Sequence, residues 1–264
     1  MSTATQRILD ASNQSALQGM LKKQAALLEE MSLRRAQTDV LYWLQNLTMT
    51  EDKQVKSKEK DVIFSDAREL VVKRPFPRKD FFYYILAALK RKSKMGIWKS
   101  RTMMQSWLVA GYCAHLAFTR PATEVVVQSA DEPKALEFIE KVKVLWVNSH
   151  PKLRESWPVP KDPYSQPAAS FDLDNRSRFI GLACGPLGPH KIRSYHPTIY
   201  VADEAAFMPE LDACIASALG AKTMQIILLS SACPGPMADM WEESIETNWP
   251  EQLLVDVAEM KLAA

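Results

Sequence analysis

Three short polar segments hold the residue types that could do chemistry. The first is Lys99-Ser100-Arg101-Thr102-Met103-Met104-Gln105-Ser106-Trp107. An apolar run, Met95-Gly96-Ile97-Trp98, precedes it, and a long apolar stretch of helical character, Ser106 to Phe118, follows. That is the strand–loop–helix setting of a phosphate-binding loop. The usual pattern carries two glycines and then Lys-Ser/Thr. Here Met104 stands at the second glycine position and Gln105 at the lysine position. Taken alone, the segment reads as a basic loop before a buried helix. The second segment, Asp203-Glu204, ends the apolar run Thr198 to Ala202, and the third, Ser230-Ser231, ends Met224 to Leu229.

An apolar strand that delivers two adjacent carboxylates at its tip needs a cation or solvent there, because buried unpaired acids are costly. Beside a phosphate loop, the economical assignment is Mg²⁺ held by Asp203 and the Ser106 hydroxyl. Glu204 then polarises the water that cleaves the γ-phosphate of ATP. The plainer alternative is a hydrogen-bonded Asp-Glu at a strand end. Gln105 cannot neutralise phosphate, so Lys99 and Arg101 are the candidate cations. A lysine reaches phosphates flexibly, and Arg101 can bridge two phosphate oxygens. Backbone N–H groups of residues 102–106 add anion binding whatever the side chains. The whole loop, Ser100, Thr102, Met103, Met104 and Gln105 included, is therefore expected to line the nucleotide. If position 104 needs a positive φ, Met104 is strained there.

These segments have to be positioned by a scaffold. Glu124 to Gln128 is a β-branched run, hence a strand. Ser129 is read as the cap of a helix running to about Val147, with Asp131 and Glu132 in its first turn and Pro133 near its start. Arg178 to Cys184 is a short strand, Gly185 to Pro189 a loop, Pro209 to Leu219 and Pro236 to Thr247 helices, and Leu253 to Val257 a last strand. Strands alternating with helices imply a mostly parallel sheet covered on both faces. Ligands of such sheets bind beyond the carboxyl ends of the strands, and all three polar segments fall there. Upstream, Phe81 to Leu89 is an aromatic-rich apolar helix. It is core, or else Phe82 or Tyr83 supplies a stacking face for a base. Residues 1–60 are polar and helix-prone, with Leu17, Met20, Leu21, Leu28 and Met31 at helical spacing. They read as a helical lead-in that packs on the main domain, with a docking arm as the sharper alternative. Thr48 to Lys60 reads as a linker, and Pro151 to Ala169 as a proline-rich surface excursion.

Composition sets the outer limits. With 264 residues, 47% of them hydrophobic, the chain can build one large α/β domain or two small ones. A net charge of +2 does not force a nucleic-acid partner. Cys113, Cys184, Cys214 and Cys233 have no CxxC spacing and read as reduced thiols. The four histidines lack zinc-ligand spacing. The longest apolar runs are too short to span a membrane. Asp172 and Asp174 lie in a polar loop and read as structural.

With these pieces placed, the chain resembles the ATPase part of a large terminase subunit, the DNA-packaging motor of tailed bacteriophages. The carriers are Trp43-Leu44-Gln45-Asn46-Leu47, Pro75-Phe76-Pro77, Lys99-Ser100-Arg101 through Ser106-Trp107-Leu108, Val201-Ala202-Asp203-Glu204-Ala205 and Leu229-Ser230-Ser231-Ala232. Loops of that family often read Lys-Ser-Arg-Gln-Met-Gly-x-Ser-Trp, so a lysine at position 99 is the family habit, while Thr102 and Met104 depart from it. The resemblance implies an ASCE-type P-loop NTPase fold over residues 61–260, after a helical lead-in and linker over 1–60. It implies ATP and Mg²⁺ as ligands and a homo-oligomeric ring, pentameric on the portal, around double-stranded DNA. Portal protein and small terminase subunit are the implied partners, and the host cytoplasm the implied location. It implies that Ser230 and Ser231 belong to a coupling motif that senses the γ-phosphate. It points to Arg193 as an arginine acting on the neighbouring subunit's site, the alternative being a surface arginine. Family members also carry a C-terminal nuclease domain. Lys261-Leu262-Ala263-Ala264 reads as the start of a vector-derived tail, consistent with that domain having been removed after about Met260. Two other functions stay open: a helicase-like DNA-dependent ATPase, and an assembly or scaffold component that binds nucleotide weakly.

Overall fold

The computed structural model describes residues 3–52, 72–99, 103–161, 169–231, 233, 237 and 238, with the backbone alone for residues 3–16. The chain opens with two helices, α1 (Thr3–Thr38) and α2 (Val40–Asn46). Asp39 divides them and caps α2, its carboxylate accepting from the Tyr42 N–H at 3.0 Å. Val40, Leu41, Trp43 and Leu44 of α2 are buried. α1 departs from the expected packing: Leu17, Met20, Leu21, Leu28 and Met31 are all more than half exposed. From residue 17 on, its burial in the core lies in the last turns, around Ala36 and the partly covered Leu33. The apolar spacing of this helix marks a stripe, not a contact with its own domain.

The expected linker is also partly built. Thr48 is buried and donates to the Leu145 carbonyl at 2.7 Å. β1 (Thr50–Asp52) pairs antiparallel with β2 (Val72–Arg74). A ladder of backbone bonds can form from charged residues when the ribbon keeps them in solvent. Residues 53–60 lie outside the described part.

Next come α3 (Phe81–Arg91), β3 (Lys94–Lys99), α4 (Gln105–Thr119), β4 (Glu124–Ser129) and α5 (Glu132–Val147). α6 (Pro151–Ser156), β5 (Ser170–Asp172), β6 (Arg178–Ala183) and α7 (Gly188–Arg193) follow. β7 (Ile199–Asp203), a 3₁₀ turn at Ala205–Phe207, α8 (Leu211–Gly220) and β8 (Gln225–Ser231) complete the order. Residues 237 and 238 are helical, but the rest of the expected helix to Thr247 and the strand at 253–257 fall outside the described residues.

The sheet runs β3-β8-β7-β4-β6-β5. All its pairings are parallel except the edge strand β5, which runs antiparallel to β6. The continuous apolar runs explain why both faces are covered. Val125 and Val127, Ile199 and Val201, and Ile227 and Leu229 face a core shared with α2, α3, α4 and α5. The alternate residues Val126, Tyr200, Ala202, Ile226 and Leu228 face a second core with α7 and α8. β8 lies between β3 and β7, so the strand that leads into the basic loop and the strand that bears the acids are separated by one neighbour. α4 sits tightly on α2: a Cβ on Gly111 would come within 2.7 Å of Leu44 Cδ2.

Ser129 does not cap α5. It is the last residue of β4, and the cap is Asp131, whose carboxylate accepts from the Lys134 N–H at 3.0 Å. The excursion after Pro151 contains α6, with Leu153 and Trp157 buried against the core. Asp174 is structural, accepting from the Val159 N–H at 3.0 Å.

Candidate nucleotide site

β3, β8 and β7 deliver their carboxyl ends side by side, with Lys99 opposite Ser231 and Asp203 opposite Leu229 in the register. α4 begins at the same edge. Lys99 Nζ lies 2.6 Å from Ser106 Oγ and 3.1 Å from Asp203 Oδ1. Ser106 Oγ donates to the same carboxylate oxygen at 3.2 Å. The side chains of Lys99 and Asp203 are only 15% and 10% exposed. Each charge in so dry a place depends on the other, and removing one would strand its partner.

The tip of β7 is held from two sides. The Ser129 hydroxyl donates to the Asp203 carbonyl at 2.8 Å. The Ala206 N–H donates to Ser230 Oγ at 3.1 Å, tying β8 to the turn after the acids. Between these anchors Glu204 adopts φ 63°, ψ 39°, the left-handed conformation. The bend turns Glu204 off the strand, and its carboxylate forms an ion pair with Lys134 near the start of α5. That hydrogen-bonded carboxylate holds the Lys134 ammonium above the ordinary lysine range, against the opposing effect of its slight desolvation.

Met104 precedes α4 with φ 58°, ψ 16°, so the residue at the glycine position does take the left-handed conformation. Such a conformation costs a non-glycine residue about 1–2 kcal/mol. Gln105 departs from the expected phosphate contact. Its side chain is 1% exposed, and its amide nitrogen and oxygen have no partner among the described residues. It is buried at the first position of α4, where the helix's opening N–H groups can face an anion. Met103 and Met104 are half-buried at the loop's end, while Ser100, Arg101 and Thr102 lie outside the described residues.

The stacking role expected of Phe82 is excluded by its position. It is 1% exposed, with Phe76 and Phe81 at centroid distances of 4.6 and 4.3 Å. Tyr83, one residue on, is turned by about 100° and is 57% exposed on α3. An open cleft of about 660 Å³ instead adjoins the loop, with Met104, Trp107, Pro75 and Pro77 in its wall. The Pro75-Phe76-Pro77 segment was the available sequence signal for it. Arg193 is exposed at the last position of α7. Ser230 is buried, and Ser231 is half-buried beside Lys99. Ser129 and Lys134 join the site unannounced by the sequence. Ser129 could have been found by treating the end of β4 like the end of β7, but Lys134 meets Glu204 only through the fold.

The oxygen atoms of Ser106 and Asp203 are hard donors that suit Mg²⁺, and the Lys99 ammonium now lies against both. Among the described residues no group of three acidic, histidine or cysteine side chains forms a metal cage. Mg²⁺ does not need one, because waters and substrate phosphates complete its shell.

A mostly parallel sheet flanked by helices, with the start of a helix and an acid-bearing strand at its carboxyl edge, is an α/β fold covered on both faces. It is similar to the fold of the HK97 bacteriophage large terminase, with a TM-score of 0.56 at 15% identity over 81% of this chain and 42% of that one. The chain thus spans less than half the length of that protein. The ATPase domain of the Thermus phage P74-26 large terminase matches with a TM-score of 0.39, at 16% identity over 60% of this chain and 71% of that one. A DEAD box protein from the hyperthermophile Methanococcus jannaschii matches at 0.41, with 11% identity over 63% of this chain and 46% of that one. No protein-family model and no curated protein matches the sequence. Among the described residues no helix is long and apolar enough to cross a membrane.

Proposed function

We infer that the chain is the ATPase part of a viral DNA-packaging motor, hydrolysing ATP with Mg²⁺ to drive double-stranded DNA into a procapsid. The observation that carries this reading is the meeting of Lys99, Ser106 and Asp203, from segments 97 to 104 residues apart, in one nearly dry cluster. In this reading the Lys99 ammonium turns from Asp203 to the β- and γ-phosphates. Ser106 and Asp203 would hold Mg²⁺, which would neutralise charge developing on the phosphate oxygens. The first N–H groups of α4 add a fixed positive potential. The cleft beside Met104 and Trp107 takes the base. Glu204, once released by Lys134, accepts a proton from the attacking water.

Arg193, exposed on α7, would act on the neighbouring subunit's site in a ring around DNA. Ser230, through Ala206, links γ-phosphate state to the turn carrying Glu204. Residues 61–260 form the ATPase domain and 1–60 its lead-in. Portal protein and small terminase subunit are the expected partners in the host cytoplasm. The strained Met104 favours one competing reading, a weakly binding assembly component.

Steady-state ATP hydrolysis with and without Mg²⁺, for the wild type and Glu204→Ala, separates these. The expected outcome is Mg²⁺-dependent turnover that falls about 10²- to 10⁴-fold in the variant. Equal rates reject the role given to Glu204, and no nucleotide bound at high nucleotide concentration favours the assembly component.

A further inference from the structure

Among the described residues, α1 from residue 17 to residue 28 stands away from the rest, yet it carries an ordered apolar stripe. Leu17, Met20, Leu21, Leu27, Leu28 and Met31 are between 55% and 69% exposed. Leu17, Met20, Gln24, Leu27 and Met31 repeat with alternating steps of three and four, the seam of a two-helix coiled coil, and Leu21 and Leu28 widen it on one side. In the same register the next positions are Asn13 and Asp10 upstream and Arg34 downstream, so the seam has defined ends. Its direction is set by the opposite face. Glu29 is bound there by Lys152 at 2.7 Å, with His150 Nε2 at 3.8 Å, and that clamp turns the seam away from the domain. Six apolar side chains held in water on a rigid helix mark an interface.

We propose that in the free chain, outside any ring on the portal, this stripe pairs antiparallel with the α1 stripe of a second copy of the chain. From Met20 to Met31 the seam is self-complementary about a two-fold axis between Gln24 and Leu27, and Leu17 meets the partner's Arg34 at each end. Met20 then meets the partner's Met31, and Gln24 meets the partner's Leu27. Leu21 lies beside the partner's Leu28, and Lys23 beside the partner's Glu30, each contact occurring twice. The two Gln24 amides occupy adjoining layers, where a polar residue in an apolar seam sets the register. Lys23 has no ion-pair partner among the described residues, so the pairing supplies one. Glu30 holds Arg34 at 2.6 Å and keeps acceptor capacity for a second cation. A parallel pair serves these residues worse. Lys23 would face the partner's Leu28, and Glu30 would compete for an Arg35 that already lies 3.5 Å from Asp39 and over the Tyr42 ring.

Light scattering on a sizing column tests this with the chain as it stands. The expected mass rises toward twice 29.8 kDa with concentration, and Leu21→Glu with Leu28→Glu gives a monomer. Those positions are exposed, so circular dichroism of the monomeric variant should retain the wild-type thermal transition of the folded domain. Lys23→Glu weakens the dimer, and adding Glu30→Lys restores it. Mixing a Met20→Cys chain with a Met31→Cys chain under oxidation gives a crosslink between the two kinds of chain, read by peptide mass. A monomer at every concentration overturns the proposal, as do crosslinks only between like chains.

Discussion

At the edge where β4, β6 and β8 begin, Ala122, Arg176 and Lys222 have φ values of 55°, 67° and 59°. At the opposite edge, Met104 and Glu204 have values of 58° and 63°. The first three are exposed turn residues, their N–H groups bonded to Asn175, Leu173 and Leu219 carbonyls at 3.1, 3.3 and 3.0 Å. There the left-handed residue reverses the chain and its side chain is incidental. Met104 and Glu204 are half-buried and flank the Lys99–Ser106–Asp203 cluster. There the same conformation sets the start of α4 and turns the Glu204 carboxylate to Lys134. Backbone strain of about 1–2 kcal/mol per residue is thus ordinary in the molecule. What separates the edges is the polar cluster that the strain surrounds.

The largest effect on nucleotide affinity expected at the carboxyl edge is that of Lys99→Ala. Losing a charged hydrogen-bonding group costs about 1.5–3 kcal/mol, or roughly tenfold to a hundredfold in Kd. Gln105→Ala should change affinity far less, since its amide carries no charge to set against phosphate. Fluorescent ATP-analogue titrations would compare them, and a larger loss for Gln105→Ala contradicts the placement of the phosphates.

A smaller effect separates the edges directly. Met104→Gly and Ala122→Gly should each raise the melting temperature, by relief of about 0.5–1 kcal/mol after glycine's entropic cost. Only Met104→Gly should also alter nucleotide affinity. Parallel changes in affinity for both would erase the distinction between the edges.

The outline of this fold was legible because fully buried parallel strands must be apolar throughout, as Val125-Val126-Val127 and Ile226 to Leu229 are. Polar residues closing such runs mark the carboxyl edge of the sheet, and Asp203 and Ser230 stand there. Other features needed the third dimension. Phe82 and Tyr83 are equivalent in an aromatic run, and only the helix rotation buries one and exposes the other. The stripe of α1 has the pattern of a packed helix, and apolar spacing says nothing about which body covers it. α6 and α7, of six residues each, are too short to show a period. β1 and β2 are three-residue strands rich in charge, so neither alternation nor propensity reveals them. The Lys134–Glu204 pair spans separate elements, and no local signal joins them.

The most direct test is a crystal of the chain grown with a non-hydrolysable ATP analogue and Mg²⁺. A triphosphate should lie over the start of α4, with Lys99 Nζ turned onto its terminal phosphate and Mg²⁺ against Ser106 Oγ and Asp203 Oδ1. Lys99 still bound to Asp203, with the nucleotide absent or seated elsewhere, would contradict the convergence of these three residues on one nucleotide.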